Sequence, residues 1–179
     1  MPMSRSRGFS LIELMVVIAI AAILTMVALP GVGDWLQNSK MRSAADSMAN
    51  GLRFAQAEAV RLSRQTTFLA TSTGWTVSYV QVVAAADTAI PLTLQSSPSV
   101  QNVTITKGSG TPAVLAFNSL GRALDASGAA PFPAIPGDVS YDITATGAPR
   151  RMRLIVSPAG KVRMCDPDKS FSTTNPDGC

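Results

Sequence analysis

Histidine is absent from all 179 residues. That excludes Ser-His-Asp and Cys-His nucleophiles, His-ligated zinc and a histidine general base, each of which needs an imidazole. Cysteine is nearly absent: Cys165 and Cys179 stand alone near the C-terminus, without the C-x-x-C spacing of a redox or metal pair. Acidic residues number eleven and are scattered. Several sit in turn sequences, as in Pro136-Gly137-Asp138 and Asn175-Pro176-Asp177-Gly178, where turn chemistry accounts for them better than a catalytic carboxylate pair does. Asp166-Pro167-Asp168, ahead of Ser170 and Thr173, offers oxygen ligands to calcium but lacks the bidentate glutamate and the glycine of an EF-hand loop; a solvated loop is the other reading. No glycine-rich phosphate loop is present, since Gly108-Ser109-Gly110 runs into Thr111-Pro112 rather than a helix. With no nucleophile to name, the chain is expected not to be an enzyme, with no cofactor and no metal.

The informative part is the N-terminus. From Phe9 to Leu29 the only charge is Glu13, and as a helix this run would be ~31 Å long, enough to cross a bilayer. Arg5 and Arg7 precede it, so the positive-inside bias keeps the N-terminus cytoplasmic and sends the remainder outward. A carboxylate within such a segment costs on the order of 3 kcal/mol near a helix centre and less near its end.

The stretch Gly8-Phe9-Ser10-Leu11-Ile12-Glu13-Leu14 with its apolar continuation resembles the prepilin signal of type IV pilins and type II secretion pseudopilins. The resemblance implies that a membrane prepilin peptidase cuts after Gly8 and methylates Phe9. It implies that Glu13 pairs with the N-terminal amine of a neighbouring subunit, and it matches Pro30 to the family's helix proline. Residues 1–8 are then a leader, 9–30 the transmembrane half of a long helix, and 31–179 a periplasmic domain whose helix runs to about residue 64. The expected location is the inner membrane, single-pass, then a pilus or pseudopilus. The competing readings are a cleaved secretory signal and a plain anchor. Glu13 inside the apolar region and the lack of a clear small-x-small site after it speak against the first.

Roughly 145 residues follow the membrane segment, near the commonest single-domain size. Cutting after Gly8 removes two arginines and leaves 13 basic against 11 acidic side chains, so bulk charge does not point to nucleic acid. An exported chain meets an oxidising compartment, so a Cys165–Cys179 disulfide is expected; closing a 15-residue loop contributes roughly 3 kcal/mol in the chain-entropy model.

Pro30-Gly31-Val32-Gly33 is expected to interrupt the helix, bending or loosening it at the membrane surface. Beyond it Met41, Ala45, Met48, Leu52, Ala55, Ala59 and Leu62 form a stripe at alternating spacings of four and three, the face of a helix packed on its own sheet. Thr66–Thr71 and Trp75–Val83 read as a hairpin around Ser72-Thr73-Gly74, and Ser99–Thr106 and Val114–Phe117 as strands. Asn118-Ser119-Leu120-Gly121 reads as a turn and 126–137 as loop. Val139–Thr146, Arg151–Ser157 and Lys161–Cys165 read as late strands, with Pro158-Ala159-Gly160 turning between the last two. No pattern is assigned across most of 84–113.

One long helix followed by a mainly antiparallel sheet is an α+β, pilin-like order. Leu52–Arg61, Phe117–Arg122 and Gly160–Cys165 resemble the GspH/FimT group of minor pilins and pseudopilins. The resemblance implies a structural subunit, with other pilins or pseudopilins as partners, placed at a tip or initiating assembly. Between Gly147 and Cys165 stand Arg150, Arg151, Arg153, Lys161 and Arg163 with no acid. Period two puts Arg151 with Arg153 and Lys161 with Arg163 on one face each, so the hairpin could gather them. FimT-type proteins are linked to DNA uptake through a basic Gly-Arg-x-Arg element; here Gly160-Lys161-Val162-Arg163 has lysine first, which loses the bidentate fork. DNA contact and a solvated basic edge that discourages strand aggregation both stand as readings.

Overall fold

The computed structural model describes residues 9–81, 90–128 and 130–179, leaving aside the side chains of 27–32, 80, 81 and 90–92. Residues 1–8, expected to be a leader, and the end of the expected strand at Val82 and Val83 lie outside these. Helix α1 spans Leu11–Leu62 without a break. The helix is therefore not interrupted at Pro30: proline removes one hydrogen-bond donor, and the turns on either side carry the helical backbone past it. It ends where Ser63 adopts a left-handed conformation and donates its N–H to the Ala59 and Val60 carbonyls.

Among the described residues nine strands follow: β1 (Thr66–Ala70), β2 (Trp75–Gln81), β3 (Ile90–Ser96), β4 (Val103–Lys107), β5 (Leu115–Phe117), β6 (Ala123–Asp125), β7 (Val139–Ala145), β8 (Met152–Val156) and β9 (Val162–Cys165). All their pairings are antiparallel, and they divide between two sheets, β3-β2-β1-β5-β6 and β4-β7-β8-β9. The expected hairpin β1–β2 forms as read, with Thr71 N–H donating to Gly74 O at 2.9 Å. Strand β3 was not legible because Pro91 demotes it in sequence; it lies at a sheet edge, where a missing donor is tolerated. Strand β4 starts four residues later than expected, since Asn102 turns the chain at φ 65°.

The helix is the common wall of both sheets. Met41, Ala45, Met48, Leu52, Ala55 and Ala59 are buried as the stripe requires, joined by Ala44 and Ala49, while Leu62 is only half-buried. Gly51 lets the Trp75 indole lie against the helix: a Cβ there would come within 2.8 Å of the ring. Trp75 stacks on Phe68 at 5.8 Å, and Phe68 meets Tyr141 of the other sheet edge-on at 6.3 Å. One aromatic line thus joins both sheets beneath the helix. Burial pushes the Tyr141 hydroxyl well above the usual phenol range.

Candidate functional site

The N-terminal half of α1 has no domain beneath it. Phe9 is 83% exposed, and Leu11, Ile12, Leu14, Met15, Val16, Val17, Ile18, Ile20, Ile23, Leu24 and Met26 are all exposed. Apolar side chains repeated round a bare helix need a partner that is not water. Among the described residues no helix is long and apolar enough to cross a membrane; the described side chains of this run stop at Met26. Ser10 caps the helix, its backbone extended and its Oγ accepting from Glu13 N–H at 3.3 Å. Glu13 lies exposed in the first turn, where a carboxylate is favoured by the helix dipole. The Ser10-x-x-Glu13 spacing is a capping signature that the sequence already carried. Gly8 lies outside the described residues.

At the far end of α1, two turns of the chain close on the helix. Gln56 Nε2 donates to Gly121 O at 2.9 Å, and Ala123 N–H donates to Pro158 O at 3.0 Å, tying one sheet to the other. Gly121 (φ +74°) and Gly160 (φ +82°) adopt backbone conformations open to glycine. A Cβ on Gly160 would overlap Gly121 O and the Gln56 amide. Leu52–Arg61, Phe117–Arg122 and Gly160–Cys165, distant in sequence, meet here. Asn118 Oδ1 accepts from both Leu120 and Arg122 N–H, holding the turn.

The C-terminal tail is closed by Cys165–Cys179, with Cα atoms 5.2 Å apart. Asp166 N–H donates to Asp177 O and Cys179 N–H to Asp166 O, so the tail returns to the end of β9. The two carboxylates of the candidate calcium loop, Asp166 and Asp168, are otherwise engaged, as is the turn residue Asp177. Asp168 takes two hydrogen bonds from Arg151, Asp177 takes one from Lys169, and Asp166 accepts from Asp168 N–H. The hydrogen bond from Arg151 holds the Asp168 carboxyl below its usual range, and that from Lys169 does the same for Asp177. Among the described residues no group of three or more acidic, cysteine or histidine side chains is placed to hold a metal.

The five basic residues of the C-terminal hairpin are not equivalent. Register places Ile155 opposite Arg163 and Arg153 beside Asp142 of β7. Arg153 grips Asp142 in a two-pronged pair at 2.6 and 2.8 Å, and Arg151 is held by Asp168. The absence of acids between Gly147 and Cys165 was therefore a statement about sequence, not space, because β7 and the tail supply them. Among the described residues Lys161 and Arg163 are exposed without an ion pair; they line a hollow of about 300 Å³ with Asp138, Ile155 and Ser157. Arg150 is exposed in the loop before β8.

A bare apolar helical arm, continuous with a helix packed across antiparallel sheets, defines the pilin-like class. Solved structures of that class overlay this chain: the Pseudomonas aeruginosa type IV minor pilin FimU (TM-score 0.54, 19% identity, 76% of this chain and 99% of that one) and the Vibrio cholerae minor pseudopilin EpsH of the Type 2 Secretion System (0.54, 16%, 73% and 99%). The chain belongs to the GspH family: the family model, Type II transport protein GspH, matches residues 44–160. The prokaryotic N-terminal methylation motif matches residues 3–29. Among curated proteins, a fimbrial protein of Moraxella nonliquefaciens is 45% identical over 51 residues, covering 28% of this chain and 32% of its own length. Fimbrial protein EcpC of Eikenella corrodens is 48% identical over 52 residues, 29% of this chain and 33% of its own length. The chain thus matches about a third of the length of these relatives.

Proposed function

We propose that this protein is a structural minor pilin or pseudopilin: cut after Gly8 by a prepilin peptidase, methylated on Phe9, anchored in the inner membrane by 9–30, and then incorporated into a type IV pilus or type II secretion pseudopilus. The observation carrying this reading is the bare apolar arm from Phe9 to Met26, headed by Glu13 and joined without a break to the packed half of α1. Such an arm leaves lipid at least cost by packing beside other arms of the same kind. A buried carboxylate then needs a cationic partner, and the freed amine of Phe9 on a neighbour supplies one. Residues 31–179 form the periplasmic domain, and no catalytic step is ascribed to the chain. The test is mass spectrometry of the native-host protein together with fractionation of Glu13→Val. We expect methylated Phe9 as the N-terminus, and a variant that is inserted and processed but poorly incorporated. An intact Met1, or normal incorporation of the variant, refutes the reading.

A second reading, DNA contact in uptake, draws on the unpaired Lys161 and Arg163 beside their hollow, with Arg150 apart from them. Arg151 and Arg153 contribute less than their charge suggests, since carboxylates hold both guanidinium groups.

A further inference from the structure

Strand β9 leaves one edge of its sheet open. Gly108 N–H donates to Ser140 O at 2.8 Å, so Ser140 turns its backbone groups towards β4. Alternation along antiparallel ladders then points Tyr141 at β8, Ile155 at β9 and Arg163 back at β8. The bond from Ser157 N–H to Lys161 O, at 3.0 Å, has the same phase. Val162 and Met164 therefore turn their N–H and C=O groups away from the sheet, and among the described residues nothing pairs with them. At Asp166 the same edge is taken: its N–H donates to Asp177 O at 2.7 Å, and its C=O accepts from Cys179 N–H at 3.1 Å. The chain's own tail thus adds to this edge in a single parallel bridge, Asp166 to Gly178. The edge accepts a strand, and the tail covers only one end of it.

The side chains of this edge say what it takes. Val162 and Met164 are half-buried and pack on the core. Lys161 and Arg163 are exposed beside the hollow they share with Asp138, and among the described residues neither is in an ion pair. Free edge carbonyls need donors as well as acceptors opposite them; a phosphate chain offers only acceptors, whereas a polypeptide offers both. Like charges directly opposite destabilise a strand pair. Two copies of β9 joined antiparallel by these amides would set cation against cation, so the edge refuses its own kind. We propose that the free edge of β9 takes, as an added strand, an extended segment of a different polypeptide that alternates acidic and apolar side chains. Its acids lie opposite Lys161 and Arg163, and its apolar residues extend the layer begun by Val162 and Met164. In a filament that segment belongs to a neighbouring subunit of another kind, a step that rests on the assembly reading above; the edge itself is tested without it.

The test is amide hydrogen exchange of the full chain in detergent, read residue by residue by NMR, with a short synthetic peptide alternating glutamate and valine. Without peptide, the Val162 and Met164 amides should exchange fast and that of Arg163 slowly. With it, both should be slowed several-fold, and the same peptide with lysine for glutamate should slow neither. Val162→Pro removes one outward donor at an edge position, where proline is tolerated; it should weaken peptide binding several-fold while Leu154 and Arg163 stay protected. Lys161→Glu with Arg163→Glu should reverse the preference, taking the lysine peptide instead. Val162 and Met164 amides already protected in the free chain, no protection by the glutamate peptide, equal protection by the lysine peptide, or protection by duplex DNA each overturns the inference. Any of these results leaves the assembly reading standing, since that reading is tested by processing at Gly8 and by Glu13→Val.

Discussion

Gly160→Ala isolates the junction on which both sheets and the helix depend. Three costs add at that position. The native φ of +82° disfavours any side chain by about 1–2 kcal/mol. The new methyl would overlap Gly121 O, which is backbone and cannot rotate away, and the Gln56 amide; overpacking of this kind costs about 1–3 kcal/mol. If Gln56 retreats, its 2.9 Å bond to Gly121 O is lost, at about 1 kcal/mol. The expected destabilisation is therefore about 3–6 kcal/mol, a large share of the 5–15 kcal/mol that typically holds a domain together. Gly110→Ala is the control, because Gly110 has φ +76° with nothing within 4 Å of a new Cβ; it should show only the conformational cost. Urea unfolding of the full chain in detergent, followed by Trp75 in a Trp35→Phe background, measures both. Trp75 is the buried reporter at 5% exposure. Adding Gln56→Ala to Gly160→Ala should recover part of the loss, since contacting residues are non-additive. If Gly160→Ala falls within about 1 kcal/mol of Gly110→Ala, the close approach of the two turns is refuted.

The Cys165–Cys179 bond predicts no alkylation of the exported protein under denaturing conditions without reductant, and reduction should cost roughly 3 kcal/mol for a loop of this size. The tail should also respond to acid. Asp168 and Asp177 have carboxyls lowered in the folded state by Arg151 and Lys169; their contribution is complete above the unfolded value of about 3.9 and is lost as pH falls through the lower folded values. Hydrogen exchange of tail amides should therefore be flat from pH 5 to 8, once corrected for intrinsic rates, and lose protection only below about pH 4; loss of protection near neutrality contradicts these pairs. If the basic hairpin binds DNA, Lys161→Gln with Arg163→Gln should flatten the log-log salt slope by about one unit per charge removed. Arg151→Gln with Arg153→Gln should change it less, and absence of gel retardation at low salt ends that reading.

The arm, the stripe and the order of elements were legible because each is a local pattern. An apolar run with one acid, a four-three spacing from Met41 to Ala59 and the hairpin signal at Ser72-Thr73-Gly74 depend on neighbours within a few residues. The disulfide was legible for a related reason, since two cysteines leave one pairing. Strand β3 was not legible, because Pro91 opposes a strand locally and only the edge position in the sheet permits it. Nor was the short β6, whose three residues pair with β5 on one side while Leu124 bridges to Ala134 on the other.

The sequence by itself determined that one long helix would carry an apolar first half and bury one face of its second, because burial periodicity is written along a single segment. Only the tertiary structure decided which charges are free. Asp142 and Asp168 reach Arg153 and Arg151 from another strand and from the tail, and ion pairing depends on distance in space rather than along the chain. The tertiary structure alone also brought Gln56, Gly121 and Gly160 together, since the fit of two glycines against one amide exists only once both sheets have closed on the helix.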